Sequence, residues 1–430
     1  MNRNFLLLLQ GQMISRIGTQ VSTIAMLFWL KHATESPPLM GMMAMLSGLA
    51  AVLFGPIGGA VADRHSRRSI LIICDLVSGF AVISLAFLML FTPAAKAWIL
   101  VWIFAVSIVL STVNSFLTPA ISASTADLVP TNSVAGATSM VRASFQISTL
   151  LGQGIGGILF RTLGAPLAIL IDGATYLCAA LSKYFIVIPQ TLSEKNGNWY
   201  ERVHEFKKEI RDGLTYVRAN RGMTQLLLVV TFLNFVMSPI LVLLPFYVED
   251  HLKLHPDWFG YLLTALGVGS LMGFLSAGVF PVRGKVRVAM IMACMLVASV
   301  LTGLLGYVKT PAIVAAAIVG IGIASGFLNI SVMTIVQITT PSEIRGRVFG
   351  LLATLSNCLL PIGMGAAGMA TSLVGKNVPL VYLFCGACMT LITLAATGLS
   401  ESRNYLAFEE TQTRESIHLN QGIEENAGAD

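Results

Sequence analysis

The chain repeats one pattern from end to end: a run of about 20 apolar residues, then a short polar turn. A helix of about 20 residues, rising about 1.5 Å per residue, covers a hydrocarbon layer of roughly 30 Å. Such runs are read at 8–31, 39–62, 70–92, 97–120, 136–160, 164–188, 223–248, 257–281, 287–308, 311–337, 347–372 and 378–399. The pattern predicts an all-α membrane protein with twelve transmembrane helices. One long polar connection, residues 189–222, divides them six and six. The expected organisation is an N-terminal six-helix bundle over 1–190, an amphipathic linker over 191–222, a C-terminal six-helix bundle over 223–400 and a polar tail over 401–430. The first run is too long for a cleaved signal and lacks an A-x-A exit, so it is expected to stay as the first span.

Composition sharpens this picture. Hydrophobic residues make up 55% of the 430, charged residues only 11%, and the mean hydropathy is +0.78, so lipid must solvate most of the surface. The net charge of +6 does not point to nucleic acid, because the basic residues lie between spans rather than in aromatic-interleaved patches. Arg64, Arg67 and Arg68, the linker's Lys195, Arg202, Lys207, Lys208, Arg211, Arg218 and Arg221, then Arg283, Lys285, Arg287, Arg345 and Arg347 all fall on one side. The other side holds only Lys31, Lys96, Arg161, Lys253, Lys309 and Lys376, which predicts both termini in the cytoplasm of a multi-pass inner-membrane protein.

In the linker, Trp199, Val203, Phe206, Ile210, Leu214 and Val217 form one helical apolar stripe opposite Lys207, Lys208 and Arg211. That suits a helix on an anionic leaflet, or a strap beneath the two halves. All six cysteines lie in apolar runs, and Cys385 and Cys388 have no His or acidic neighbour, so no metal or cofactor is expected. There is no GxxxxGK[ST] loop, and His65, His204 and His418 stand in loops or the tail; an enzyme is not expected.

The two halves repeat each other. Setting Gly59 against Gly278 places Arg64 opposite Arg283 and Arg68 opposite Arg287. LVPTNSVAGA after the fourth span likewise matches ITTPSEIRGR after the tenth. A parallel repeat about an axis normal to the membrane is a transporter architecture, with the site expected between the halves near the midplane.

Residues 59–68, GAVADRHSRR, fit G-x-x-x-D-R-x-G-R-R except at Ser66, and resemble the signature loop of the major facilitator superfamily. SRIGTQVSTIAMLFWL, DLVPTNSVAGATSM, EIRDGLTYVRANRGMTQLLL and TPSEIRGRVFGLLATLSNCLLPIG together resemble its branch of macrolide efflux pumps and the enterobactin exporter, over nearly the whole chain. The resemblance implies the major facilitator fold, two six-helix bundles related by a pseudo-two-fold axis. It also implies that Gly59, Asp63, Arg64, Arg67 and Arg68 form a conformational latch that stabilises the outward-open state. The second-half loop has Val282 where the acid would stand, so a latch there would be weaker. Gly152-Gln153-Gly154-Ile155-Gly156-Gly157 resembles the G-P-x-x-G-G element of drug/proton antiporters, with Gln153 in place of the proline; generic glycine packing accounts for it as well.

Charges inside spans ask for a partner or a task, since each costs roughly 2.5–3.5 kcal/mol at a helix centre. Asp75, Arg142 and Asp172 are the coupling candidates: Arg142 matches Asp75 in depth and could exchange with it on protonation, or form a static bridge. Lys183 is expected to reach the interface. Asp172 falls on the sixth span, which the superfamily's architecture puts at the periphery, favouring a structural hydrogen bond. Cavity candidates are Arg16, Gln20, Asn114, Gln146, Gln153, Asn234 and Asn329, with Gln337 and Asn357, among aromatic residues and methionines. A soft chamber of this kind suits bulky amphipathic compounds. The expected function is a monomeric secondary active exporter of amphipathic small molecules, working by alternating access with proton antiport. A siderophore or lipid exporter of the same fold, or a non-transporting sensor or scaffold, stays open beside it.

Overall fold

A computed structural model describes residues 2–189, 211–279 and 282–408. The linker stretch 191–210, the tail beyond 408 and the side chains of Asp63 and Asn357 lie outside the described residues.

Local chemistry sets the helix ends. α1 (Arg3–Thr34) stops at Glu35, whose φ of 48° turns the chain into Pro37, the first residue of α2 (Pro37–Arg64). Ser66 then caps α3 (Arg67–Phe91), its Oγ accepting from the Ser69 N–H at 3.3 Å. A serine in place of the second loop glycine therefore has a local use. α4 (Lys96–Leu128) runs eight residues past the expected span, and a 3-10 turn at Thr131–Ser133 follows it.

The helical stretch Val134–Tyr184 is far too long for one crossing. It breaks at Gly164, whose φ of 76° is open to glycine, just ahead of Pro166, leaving α5 (134–163) and α6 (165–184). The second half holds α7 (Arg221–Phe246), which passes into a π turn at Tyr247–His251, then α8 (Asp257–Val279), α9 (Gly284–Leu304), α10 (Pro311–Thr339), α11 (Ser342–Leu373) and α12 (Val378–Gly398).

Nine helical stretches among the described residues are long and apolar enough to cross a membrane, one of them containing both α5 and α6. α1 is not among the nine, because Gln12, Ser15, Arg16, Thr19 and Gln20 lower its hydropathy. Phe80, Leu275, Phe384 and Leu391 point outward and exposed, as lipid solvation requires.

Both polar segments dock on the second half where they are described. The stretch expected as the start of the tail holds α13 (Ser400–Leu406), with Leu406 fully buried and Tyr405 Oη 2.6 Å from Thr339 Oγ1. The described end of the linker, 211–219, also docks there, Tyr216 donating to the Thr339 carbonyl at 3.1 Å and Asp212 pairing with Arg347 at 3.0 Å.

Candidate functional site

Residues of α1, α2 and α4, with Tyr176 of α6, enclose a cavity of about 340 Å³. α1 supplies its wall because its polar residues recur by helical turns: Gln12, Arg16, Thr19, Gln20 and Thr23 face the space. Ser47 of α2 and Ser107, Ser111 and Asn114 of α4 add to the polar lining, and Met26, Leu27, Met43 and Leu110 belong to its apolar part. No carboxylate lines it among the described residues.

The opposite face of α1 is held by small residues and hydroxyls. A side chain on Gly18 would meet Thr175 Oγ1 and Asp172 Oδ1 at 2.3 and 2.6 Å, so α1 and α6 touch almost backbone to backbone. There Ser22 donates to the fully buried Asp172 carboxylate at 2.5 Å, while Thr175 gives its proton to the Asp172 backbone carbonyl at 2.7 Å. Thr19 gives its own proton to the Ser15 carbonyl at 2.8 Å, so Tyr176 must donate in its 2.8 Å contact with Thr19 Oγ1. Arg16 lays its guanidinium 4.0 Å over the Phe145 ring of α5.

Among the described residues the halves meet mainly along two helix pairs, α2 with α11 and α5 with α8, whose close contacts run from the end carrying Lys31 to the middle of the helices at Gly48 and Gly267, with smaller contacts of α1 and α2 on α7. Gly41 and Gly368 sit where a Cβ would approach the Met364 and Pro37 carbonyls at 2.5 Å. Gly157 and Gly260 do the same against Asp257 and Gln153 backbone, at 2.8 and 2.2 Å. Charges cover these seams: Lys31 reaches Glu249 at 2.5 Å and Asp250 at 2.8 Å, His32 lies 3.0 Å from Glu249, and Arg161 pairs with Asp257 at 2.7 Å. At the other end of the same four helices, a side chain on Gly59, Gly136, Gly278, Gly346 or Gly350 would meet nothing within 4 Å. Among the described residues, four helices packed at one end and standing apart at the other leave a crevice open at that end.

The Major Facilitator Superfamily model matches residues 8–366. The chain belongs to that superfamily. It is 26% identical over 398 residues to macrolide efflux protein A of Streptococcus pyogenes, covering 91% of this chain and 95% of that one. It is 24% identical over 393 residues to the multidrug efflux pump Tap of Mycolicibacterium fortuitum, covering 88% and 93%. The nucleoside transporter NupG shares the fold at a TM-score of 0.73 and 14% identity, over 92% and 99% of the two chains. A bacterial homologue of the iron transporter ferroportin, solved in an inward-facing state, does so at 0.69 and 14%, over 91% and 98%. As a major facilitator this multi-pass chain is a membrane transporter, not an enzyme.

Within the fold, the predicted residues scatter. Arg16, Gln20 and Asn114 line the first-half cavity, and Asn234 lines a smaller, mostly apolar space of about 180 Å³ in the second half. Gln146 and Gln153 lie along the α5 face that meets α8, and Asn329 is exposed on α10, so none of these three enters the cavity. The glycine run 152–157 is a seam, with Gly152 and Gly156 against α1 and Gly157 against α8.

The expected pairing of Asp75 with Arg142 is not formed. Asp75 accepts from Lys183 at 2.5 Å with both side chains fully buried, while Arg142 is exposed and makes no ion pair among the described residues. Lys183 therefore stays inside the protein rather than reaching the interface. In the signature loop, Arg67 pairs with Asp127 of α4 and Arg68 donates to the Tyr184 carbonyl; Arg64 is exposed. Sequence reasoning missed the Lys31 cluster, because its partners stand more than 200 residues apart and looked like ordinary loop charges.

Proposed function

We propose that this chain is a secondary active exporter of amphipathic small molecules, driven by inward proton flow. The observation that carries the reading is the crevice open at one end: two seams closed at the Lys31 end, four helices standing apart at the other, and a polar cavity within the first half. The arginine-rich loops support a cytoplasmic position for the splayed end, and on that reading the described state is open inward. The efflux named for the Streptococcus and Mycolicibacterium relatives supports export as the direction.

Asp172 is the favoured proton carrier. Its carboxylate is held by the Ser22 hydroxyl, on the helix pair that forms the cavity wall, so proton exchange breaks no ion pair. Asp75 would first have to give up Lys183. One proton crossing 100 mV supplies roughly 2.3 kcal/mol, enough for about a fortyfold substrate gradient. The Asp63 latch belongs to the opposite, outward-open state, in which the signature-loop arginines would reach across the splayed end.

The test is efflux of a panel holding a macrolide, a lipophilic cation and a medium-chain carboxylate, from cells with and without the protein, repeated with a protonophore. Export of at least one compound is expected, lost with the protonophore and in Asp172→Asn. Proteoliposomes under an imposed pH gradient that move none of the three would sink the reading.

A further inference from the structure

Arg16 is an unusual residue for the middle of a membrane helix, because it brings a permanent charge and no counter-charge meets it. Among the described residues no carboxylate lies within ion-pair distance of its guanidinium, and none lines the cavity it faces. What holds it is the Phe145 ring, 4.0 Å from its central carbon. Stacking occupies the flat face of a guanidinium and leaves its in-plane N–H groups available. One turn away on the same face, Gln12 is 3% exposed, lines the cavity, and its amide Nε2 has no hydrogen-bond partner. A buried donor left unpaired costs on the order of 1–3 kcal/mol, so the Gln12 amide, one turn from the half-buried Arg16 guanidinium on the same wall, points to a missing acceptor.

The cavity is also graded. Ten residues further along α1, about 15 Å at the helical rise, its wall becomes Met26 and Leu27, joined by Met43 of α2. We propose that Arg16 and Gln12 form a subsite for an oxyanion, so that the transported amphiphile carries an acidic head at one end and an apolar body that lies toward Met26. This rests on the export reading above and narrows its substrate class. Lipophilic cations are the disfavoured class, because the wall offers them a like charge and no carboxylate.

Equilibrium binding to the full chain in nanodiscs of zwitterionic lipid, with no gradient, tests this directly. The probes are decanoate and decyltrimethylammonium, each corrected for protein-free discs. The unaltered protein is expected to bind decanoate at least tenfold more tightly. Arg16→Gln should weaken decanoate binding by about 10- to 100-fold, the fold-change equivalent of losing a charge-assisted hydrogen-bonded contact, and Arg16→Lys should keep part of it, as a point charge without the planar fork. Repeating the assay with anionic lipid separates two sources of the same chemistry: displacement of decanoate assigns the subsite to a lipid headgroup, and no displacement assigns it to a free acid. Equal or tighter binding of the ammonium probe by the unaltered protein would overturn the proposal even if neither variant folds. Carboxylate binding without flux under a pH gradient would instead refute the export reading and leave the subsite standing.

Discussion

Asp75 and Lys183 meet at 2.5 Å with neither side chain exposed, and neither lines the cavity. A pair in that position fixes α3 against α6. Removing one partner leaves a buried charge alone, at a cost of roughly 3–5 kcal/mol, whereas replacing both by apolar residues of similar volume is commonly neutral. Lys183→Met is therefore expected to lower the melting temperature in detergent strongly, and the double variant Asp75→Leu/Lys183→Met to recover most of the loss and keep efflux. A double variant that folds but no longer exports would move Asp75 into the coupling machinery. Sequence alone could show that Asp75 needed a partner, since a lone carboxylate in a span is costly. It could not choose the partner. Arg142 and Lys183 both lie near the signature-loop end of their helices, and depth is what residue counting reports; the direction each helix presents is set by packing, here by Gly79 lying against Tyr176 and Gly173. The cavity residues divide the same way. Arg16 and Gln20 on α1 were legible because charge and amides on one face of a span are conspicuous, whereas Ser22 and Thr19, which hold Asp172 and Tyr176, look like ordinary helix residues.

Among the elements, α5 carries the most consequence per residue, because one glycine run serves two neighbours. Gly152 and Gly156 lie against α1, and the Gln153 carbonyl would sit 2.2 Å from a side chain on Gly260 of α8. A backbone carbonyl cannot move aside as a flexible side chain can, so the seam must open if Gly260 is enlarged. Gly260→Val is expected to separate α5 from α8 at the Lys31 end. Spin-label distances between Leu163 and Leu254 should lengthen, and efflux should fall; an unchanged distance would mean that the seam tolerates bulk. Element ends were legible where chemistry marks them, as at Pro37, Ser66 and the Gly164–Pro166 break. They were illegible where a helix leaves the bilayer without changing conformation. α4 continues through Leu128 because Asp127, at its end, is held by Arg67, a tertiary contact that hydropathy does not encode. α13 was missed for a related reason: a short segment of mixed polarity becomes a helix by burying Tyr405 and Leu406 on a surface the sequence does not display.

At the scale of the whole molecule, the repeat that aligns Gly59 with Gly278 reappears as geometry. Both glycines stand at the splayed end, on α2 and α8, the first member of one seam and the second member of the other. If the two halves rock, the packed ends must part while these open ends close, and the charge cluster at the Lys31 end resists the first movement. The Lys31 side chain is only 6% exposed and bridges two carboxylates, one of them, Glu249, itself 15% exposed. Partly buried pairs of this kind are screened less than surface pairs and bring charge-assisted hydrogen bonds. Losing such contacts in one state alone shifts the ratio of states by about 5- to 150-fold, the range of a 1–3 kcal/mol coupling. Lys31→Met should therefore raise the population open at that end. The reporter is a cysteine at Met43, on the cavity wall, in a background with the six native cysteines replaced by alanine. Its reaction with a membrane-impermeant thiol reagent applied from the Lys31 side should accelerate in the Lys31→Met protein, and reaction from the opposite side should slow. Equal rates with and without Lys31 would show that the glycine seams alone hold the crevice shut, and that the cluster only decorates a closure made by packing.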